Sequence, residues 1–223
     1  MIEWAPFILS FKLAGVTTVI LFFVALPLAW WLSQTTSKTK PFFEALTALP
    51  IVLPPSVLGF YLLVVLSPNT AFGSFMSDVL GVELVFSFTG LVVASCFYSL
   101  PFMVQPIQSG FEALNKHMLE ASYLAGKSTM QTILRVALPN IKPSLLTALV
   151  ITFAHTVGEF GVVLMVGGSI PGETKVASVA IYEMVEIMEY GKAHIYAGIM
   201  LVMSFVILLL VYMFNQKQKI GIV

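Results

Sequence analysis

The sequence predicts an all-α integral membrane protein of about five transmembrane helices, with the N-terminus outside and the C-terminus in the cytoplasm. Three observations carry that prediction. Of 223 residues, 58% are hydrophobic and 10% charged, with a mean hydropathy of +0.96, whereas an average soluble domain has about 25% charged residues. Five apolar windows approach the roughly 20 residues a helix needs to cross the hydrocarbon core. The few charges are segregated along the chain. A soluble domain of this composition would expose large apolar patches and associate. An ordinary cytosolic enzyme, a disordered tail and a basic nucleic-acid binder are thereby excluded.

The windows follow in order. The first, 13–32, ends on Trp30 and Trp31, an aromatic pair of the interfacial type. It is long, lacks a basic n-region and an A-x-A site, and precedes four further windows, so it reads as a retained span rather than a signal peptide. The second, 46–66, contains Pro50, Pro54 and Pro55, which should kink or interrupt it near its inner end. The third, 85–104, contains Pro101. Residues 112–139 then read as a helical segment broken by Gly126, with Pro139 and Pro143 before the fourth window, 145–166. That window carries His155 and Glu159. Segment 167–192 opens on a turn-rich GGSIPGET and continues as an amphipathic helix over 176–188, with Glu183, Glu186 and Glu189 on its polar side. The fifth window, 195–214, is almost wholly aliphatic and completes a single domain over 1–223.

Formal net charge is zero. Placing the 33–44 loop, the 105–144 segment and the C-terminal tail together collects Lys38, Lys40, Lys116, Lys127, Arg135, Lys142, Lys217 and Lys219. The opposite side keeps Lys12, Lys175 and Lys192 with most of the acids, namely Glu3, Asp78, Glu83, Glu173, Glu183, Glu186 and Glu189. Basic residues favour the cytoplasmic side, which sets the orientation. The single Cys96 cannot form an intrachain disulfide, and His117, His155 and His194 are too far apart for zinc-ligand spacing. Neither a metal nor a cofactor is expected.

Gly126-Lys127-Ser128-Thr129 ends like a phosphate-binding P-loop. The first glycine of that pattern would fall on Ala121, and a helix, not a strand, precedes it. Another pattern fits better. Glu120-Ala121-Ser122, three residues, Gly126, nine residues, then Val136-Ala137-Leu138-Pro139 resembles the EAA signature of type I ATP-binding-cassette importer permeases, with Ser122 replacing an alanine and Val136 an isoleucine. His155-Thr156-Val157-Gly158-Glu159-Phe160-Gly161, the later Gly167-Gly168-Ser169-Ile170-Pro171-Gly172-Glu173-Thr174 and the proline-rich start of the second window resemble the molybdate/tungstate/sulfate branch, and most of all its molybdate members. The resemblance covers roughly residues 10–215.

The resemblance implies a permease subunit of the bacterial inner membrane that moves an oxyanion by alternating access. Catalysis of ATP hydrolysis would belong to a separate cytoplasmic ATPase subunit dimer. A second copy of the chain and a periplasmic or lipid-anchored oxyanion-binding protein would complete the assembly. Glu120, Ala121, Ser122, Gly126, Leu138 and Pro139 would form the ATPase-coupling helix, with a small-residue face (Ala121, Ser122, Ala125, Gly126) for close docking. Glu159, Gly158, Gly161, Pro50, Pro54 and Pro55 are the pathway or gate candidates. An ionisable group within a span costs at least about 2.5 kcal/mol and faces the bundle interior or water, and a carboxylate would repel an oxyanion. Glu159 therefore suits a structural or gating role rather than substrate contact, with His155 one turn away as partner. The alternative is a stand-alone secondary anion transporter, for which His155 and Glu159 are the sole ion-coupling candidates and no inverted repeat is visible. The same pair is too sparse to support an intramembrane enzyme.

Overall fold

The computed structural model of the chain describes the backbone of residues 2–220, and the side chains within it except those at 210, 211 and 214–220. Lys217 and Lys219, used above for orientation, lie outside the described side chains. Helices account for the fold, and no strand occurs among the described residues.

Two long helices form the framework. α1 (Ala5–Gln34) and α5 (Phe88–Glu112) run parallel. Near their starts Leu9 and Leu13 share a core with Leu91 and Val92. Toward their ends Ala29 and Leu32 pack with Ile107 and Phe111, and the Trp30 ring meets Phe111 edge-on at 5.0 Å. Ser87 caps α5 by accepting the Gly90 N–H at 3.1 Å. The connection before it folds tightly over that first turn, with Phe86 at a φ of 58°.

The second window is not one continuous span. It divides into α2 (Lys40–Val52) and α3 (Pro55–Leu66), bent by 111°. Leu53 is extended, as a residue before proline must be, and Pro54 and Pro55 bring no N–H to carry the helix on. Pro50 stays inside α2. With 12 residues, α3 is about 18 Å long and crosses no bilayer alone. The short α4 (Ala71–Asp78), capped by Thr70, returns the chain to the start of α5.

At the opposite end, α6 (Lys116–Leu124) and α7 (Thr129–Asn140, with a π-helical turn at Ile133–Ala137) form a hairpin, and α8 (Lys142–Val157) leaves it at 80°. The fourth window also breaks: α8 stops before Gly158, Phe160 is off-helix (φ −130°, ψ −65°), and α9 (Gly161–Gly167) begins anew. The break falls beside Glu159, the one acidic residue of an otherwise largely apolar window. α10 (Ala177–Glu186) forms within 176–188, and α11 (Tyr190–Ile220) closes the chain. The Tyr196 hydroxyl accepts the Glu3 N–H at 2.8 Å and its ring meets Phe7 at 5.1 Å, placing the start of α11 beside the start of α1. Lys40 Nζ to Glu112 Oε1 at 3.0 Å joins the start of α2 to the end of α5.

A methyl added at Gly90 would lie 1.4 Å from the Leu84 carbonyl oxygen, whereas one at Gly15 meets nothing within 4 Å. Gly90→Ala is expected to cost about 3 kcal/mol or to block folding, read as a lowered thermal midpoint of the purified protein in detergent. Gly15→Ala should leave that midpoint unchanged or raise it.

Candidate functional site

The α6–α7 hairpin is built from its caps. Gly126 has a φ of +75°. Its N–H donates to the Tyr123 carbonyl at 2.9 Å and the Lys127 N–H to Ser122 at 3.2 Å, the paired bonds that close a helix on a left-handed residue. Ser128 then starts α7 with a reciprocal cap to Gln131. The glycine–lysine–serine string is thus a helix stop and a helix start. Ser122 departs from the expected docking face. It is buried, and its hydroxyl meets the Thr132 hydroxyl at 2.9 Å, pinning the two helices together. Ala137 is also buried, packed in one core with Leu119 and Ile141, and Leu138 leans on that core. Glu120, Ala121, Gly126 and Pro139 face outward, with His117 Nδ1 3.1 Å from Glu120 Oε2. The exposed apolar residues of the tip are Tyr123, Leu124, Met130 and Leu134, with Leu124 89% exposed. Ala121, Ala125 and Gly126 of the small-residue face are exposed beside them.

A second constellation lies where the two broken helices meet. Gly161 touches Pro55: a methyl on Gly161 would sit 2.9 Å from Pro55 Cβ. Gly158 is different, with an ordinary helical φ and room for a methyl, so close approach depends on Gly161 alone of the pair. A cavity of about 600 Å³ opens between the breaks, lined by Pro55, Ser56, Tyr98, His155 and the 158–161 segment. Pro50 and Pro54 are not among its lining residues.

Glu159 is buried, and its carboxylate turns away from this cavity into α5. Oε2 accepts the Ser95 hydroxyl at 2.5 Å and Oε1 the Ser99 hydroxyl at 2.6 Å. Ser99 also contacts the Thr156 hydroxyl at 2.9 Å and His155 Nδ1 at 2.9 Å, and that nitrogen stands 3.5 Å from Glu159 Oε1. The His155 ring stacks on Phe102 at 4.0 Å and meets Tyr98 edge-on at 4.7 Å. Breaking a helix in an apolar bundle frees backbone carbonyls that need donors, and Ser178 of α10 donates to the Glu159 carbonyl at 2.5 Å. The loop before α10 is pinned likewise: Thr174 accepts the Ile170 N–H and donates to the Gly167 carbonyl. The sequence reading found Glu159 and its neighbour His155 but missed Ser95, Ser99, Ser178 and Ser56. Ser95 and Ser99, one helical turn apart in an apolar window, were the available signal for a polar partner.

A family model described as the binding-protein-dependent transport system inner membrane component matches residues 14–220. The chain belongs to this family. Among individual relatives of this inner-membrane component, the molybdenum transport system permease protein ModB of Azotobacter vinelandii is 49% identical over 215 residues, covering 96% of the chain and 94% of ModB. A probable sulfate transport system permease protein cysT of Zygnema circumcarinatum is 34% identical over 210 residues, covering 94% and 73%. The fold is shared with a bacterial ABC transporter involved in alginate import (TM-score 0.78, 19% identity, 96% of this chain and 78% of that one). It is shared also with the MetNI methionine ABC transporter (TM-score 0.72, 16% identity, 94% and 92%). The chain is therefore a multi-pass inner-membrane permease of the ABC type.

Away from the breaks, Lys175 bonds Glu183 and fastens the loop before α10 of this permease to that helix. Burial pushes the Glu183 carboxyl up, but the bonded Lys175 ammonium together with the Ser169 hydroxyl outweighs it and holds the group below its ordinary 4.5. A depressed carboxyl stabilises the folded state above its unfolded value and loses that contribution as the pH falls through the folded one. The loop should accordingly loosen only below about pH 4.5, and Lys175→Met should remove that acid dependence in amide exchange of residues 168–176.

Ser99→Ala should destabilise the purified permease by about 2 kcal/mol, since a buried carboxylate loses a charge-assisted donor. Ser95→Ala, which breaks one contact where Ser99 holds three, should cost less in the same thermal unfolding measurement.

Proposed function

We propose that this permease is the membrane-spanning subunit of an ATP-driven importer that carries molybdate inward. The single observation behind the substrate is the 49% identity to ModB over 96% of the chain. A relative named for sulfate at 34% keeps the anion within the tetrahedral oxyanion class. Two copies of the chain would enclose the pathway. A separate ATPase dimer would hydrolyse ATP, and a periplasmic or lipid-anchored oxyanion-binding protein would deliver the anion. The permease itself would carry out no catalysis.

In this reading the hairpin end is cytoplasmic and the start of α1 lies outside, as the grouping of Lys38, Lys40, Lys116, Lys127, Arg135 and Lys142 favours. The hairpin tip docks on the ATPase through Tyr123, Leu124, Met130 and Leu134. The reciprocal caps make α6 and α7 a rigid unit, so that movement of the ATPase is passed to α5 and α8 rather than absorbed. The breaks at Pro54–Pro55 and at Gly158–Gly161, in contact through Gly161, form the gate region, while Glu159 holds one of them onto α5. A chain with this tip and these breaks is better suited to a driven assembly than to a self-contained secondary transporter.

Proteoliposomes holding the complex purified from cells that express the chain with its partners provide the test. Molybdate uptake should require ATP and the loaded binding protein. Uptake by the chain alone, driven by an ion gradient without ATP, would refute the proposal. Leu124→Asp should lower ATP-dependent uptake at least tenfold while the chain still inserts in the membrane. Gly126→Val, which forces a β-branched residue to a positive φ, should do the same, and normal uptake in both variants would remove the docking role.

A further inference from the structure

No Lys or Arg lines the cavity between the two breaks, yet an acid–imidazole pair stands at its wall in a fixed order. The Glu159 side chain has no exposed surface, whereas the His155 side chain keeps 21% of its surface open and lines the cavity. The hydrogen bonds decide which edge of the ring points where. The Ser99 hydroxyl, which donates to Glu159 Oε1, also engages the ring at Nδ1, at 2.9 Å. That leaves Nε2 as the outer nitrogen, with no hydrogen bond to protein among the described residues. The Glu159 carboxyl group stands 3.5 Å behind the inner nitrogen. The pair presents its imidazole edge to the cavity and hides its acidic end among Ser95 and Ser99. Glu159 and Tyr98 are the titratable groups that meet the ring, while Phe102 covers its face.

We propose that His155 is an oxyanion contact of the pathway, meeting a tetrahedral oxyanion in transit through Nε2–H, with the Ser56 hydroxyl as a second donor in the same cavity. Glu159, which holds Ser99 and stands beside the ring, is the positioning residue that sets the ring's orientation. This rests on the importer reading above and adds the site at which the anion is met. It also reverses the simplest expectation for a buried acid on an anion path, because the carboxylate acts through the imidazole it holds rather than on the anion directly. An imidazole N–H and a hydroxyl, without lysine or arginine, give a contact strong enough to meet the anion and weak enough to release it.

Asparagine and glutamine separate the two edges of the ring. The amide of Asn reproduces the inner Nδ1 and that of Gln the outer Nε2. In the proteoliposome assay, uptake is normalised to assembled complex, with molybdate and sulfate as probes. H155N should lower transport at least tenfold and H155Q should stay within about threefold of wild type. H155N matching or exceeding H155Q would overturn the proposal, since a purely structural histidine needs its inner bond most. Glu159→Gln should lower uptake in the wild-type background but change it less than twofold in H155N; independent, multiplying losses would overturn the positioning role. Wild-type complex that moves sulfate and not molybdate corrects the substrate alone, and the histidine variants are then read on sulfate. Wild-type complex that moves neither overturns both readings.

Discussion

An ionisable side chain inside an apolar bundle must have its hydrogen-bonding capacity met by protein, and here that demand falls on Glu159. Its carboxylate takes two serine hydroxyls from α5, its carbonyl takes a third from α10, and its neighbour His155 stands within 3.5 Å. Two helices that are distant in sequence, α5 and α10, are thereby fastened to the short break between α8 and α9. A break in a helix at this depth is tolerated only where its freed polar groups are satisfied. The carboxylate fixes where α8 ends, α9 starts where it does because α8 ends, and the cavity beside Pro55 exists because the two helices are not one.

The hairpin at the far end obeys a different economy of contacts. Its interior is small: one hydroxyl pair, Ser122 with Thr132, and one buried alanine, Ala137. Its rigidity comes from the ends of its helices, where Gly126 and Ser128 close one helix and open the next within a few residues. Large apolar side chains remain on the outside because no room for them exists within. The hairpin is firmly seated on the bundle through Leu119 and Ile141 and openly apolar where it faces away.

Much of this was legible in the chain. Apolar length marked α1 and α11, and the spaced signature at Glu120–Pro139 marked the hairpin and its turning glycine. The proline pair at 54 and 55 signalled an interruption, though not a bend of 111°. Other features depend on partners that local sequence does not name. Ser122 reads as one more small residue until Thr132, ten residues on, is folded against it. Nothing within 145–166 names the partners of Glu159, because Ser95 and Ser99 lie on another helix. Gly158 and Gly161 look equivalent in sequence, and only Pro55 distinguishes them.

That contact between Gly161 and Pro55 has a kinematic consequence. A helix break ordinarily adds a degree of freedom, since the segments on either side can swing independently. Here the first residue of α9 lies against the first residue of α3 with no side chain between them. Neither joint can turn far without carrying the other, so the two interruptions count as a single hinge with one axis. A larger residue at 161 would wedge that hinge open at its tightest point, while Leu62 and Leu66 still pack on Val162 and Val166.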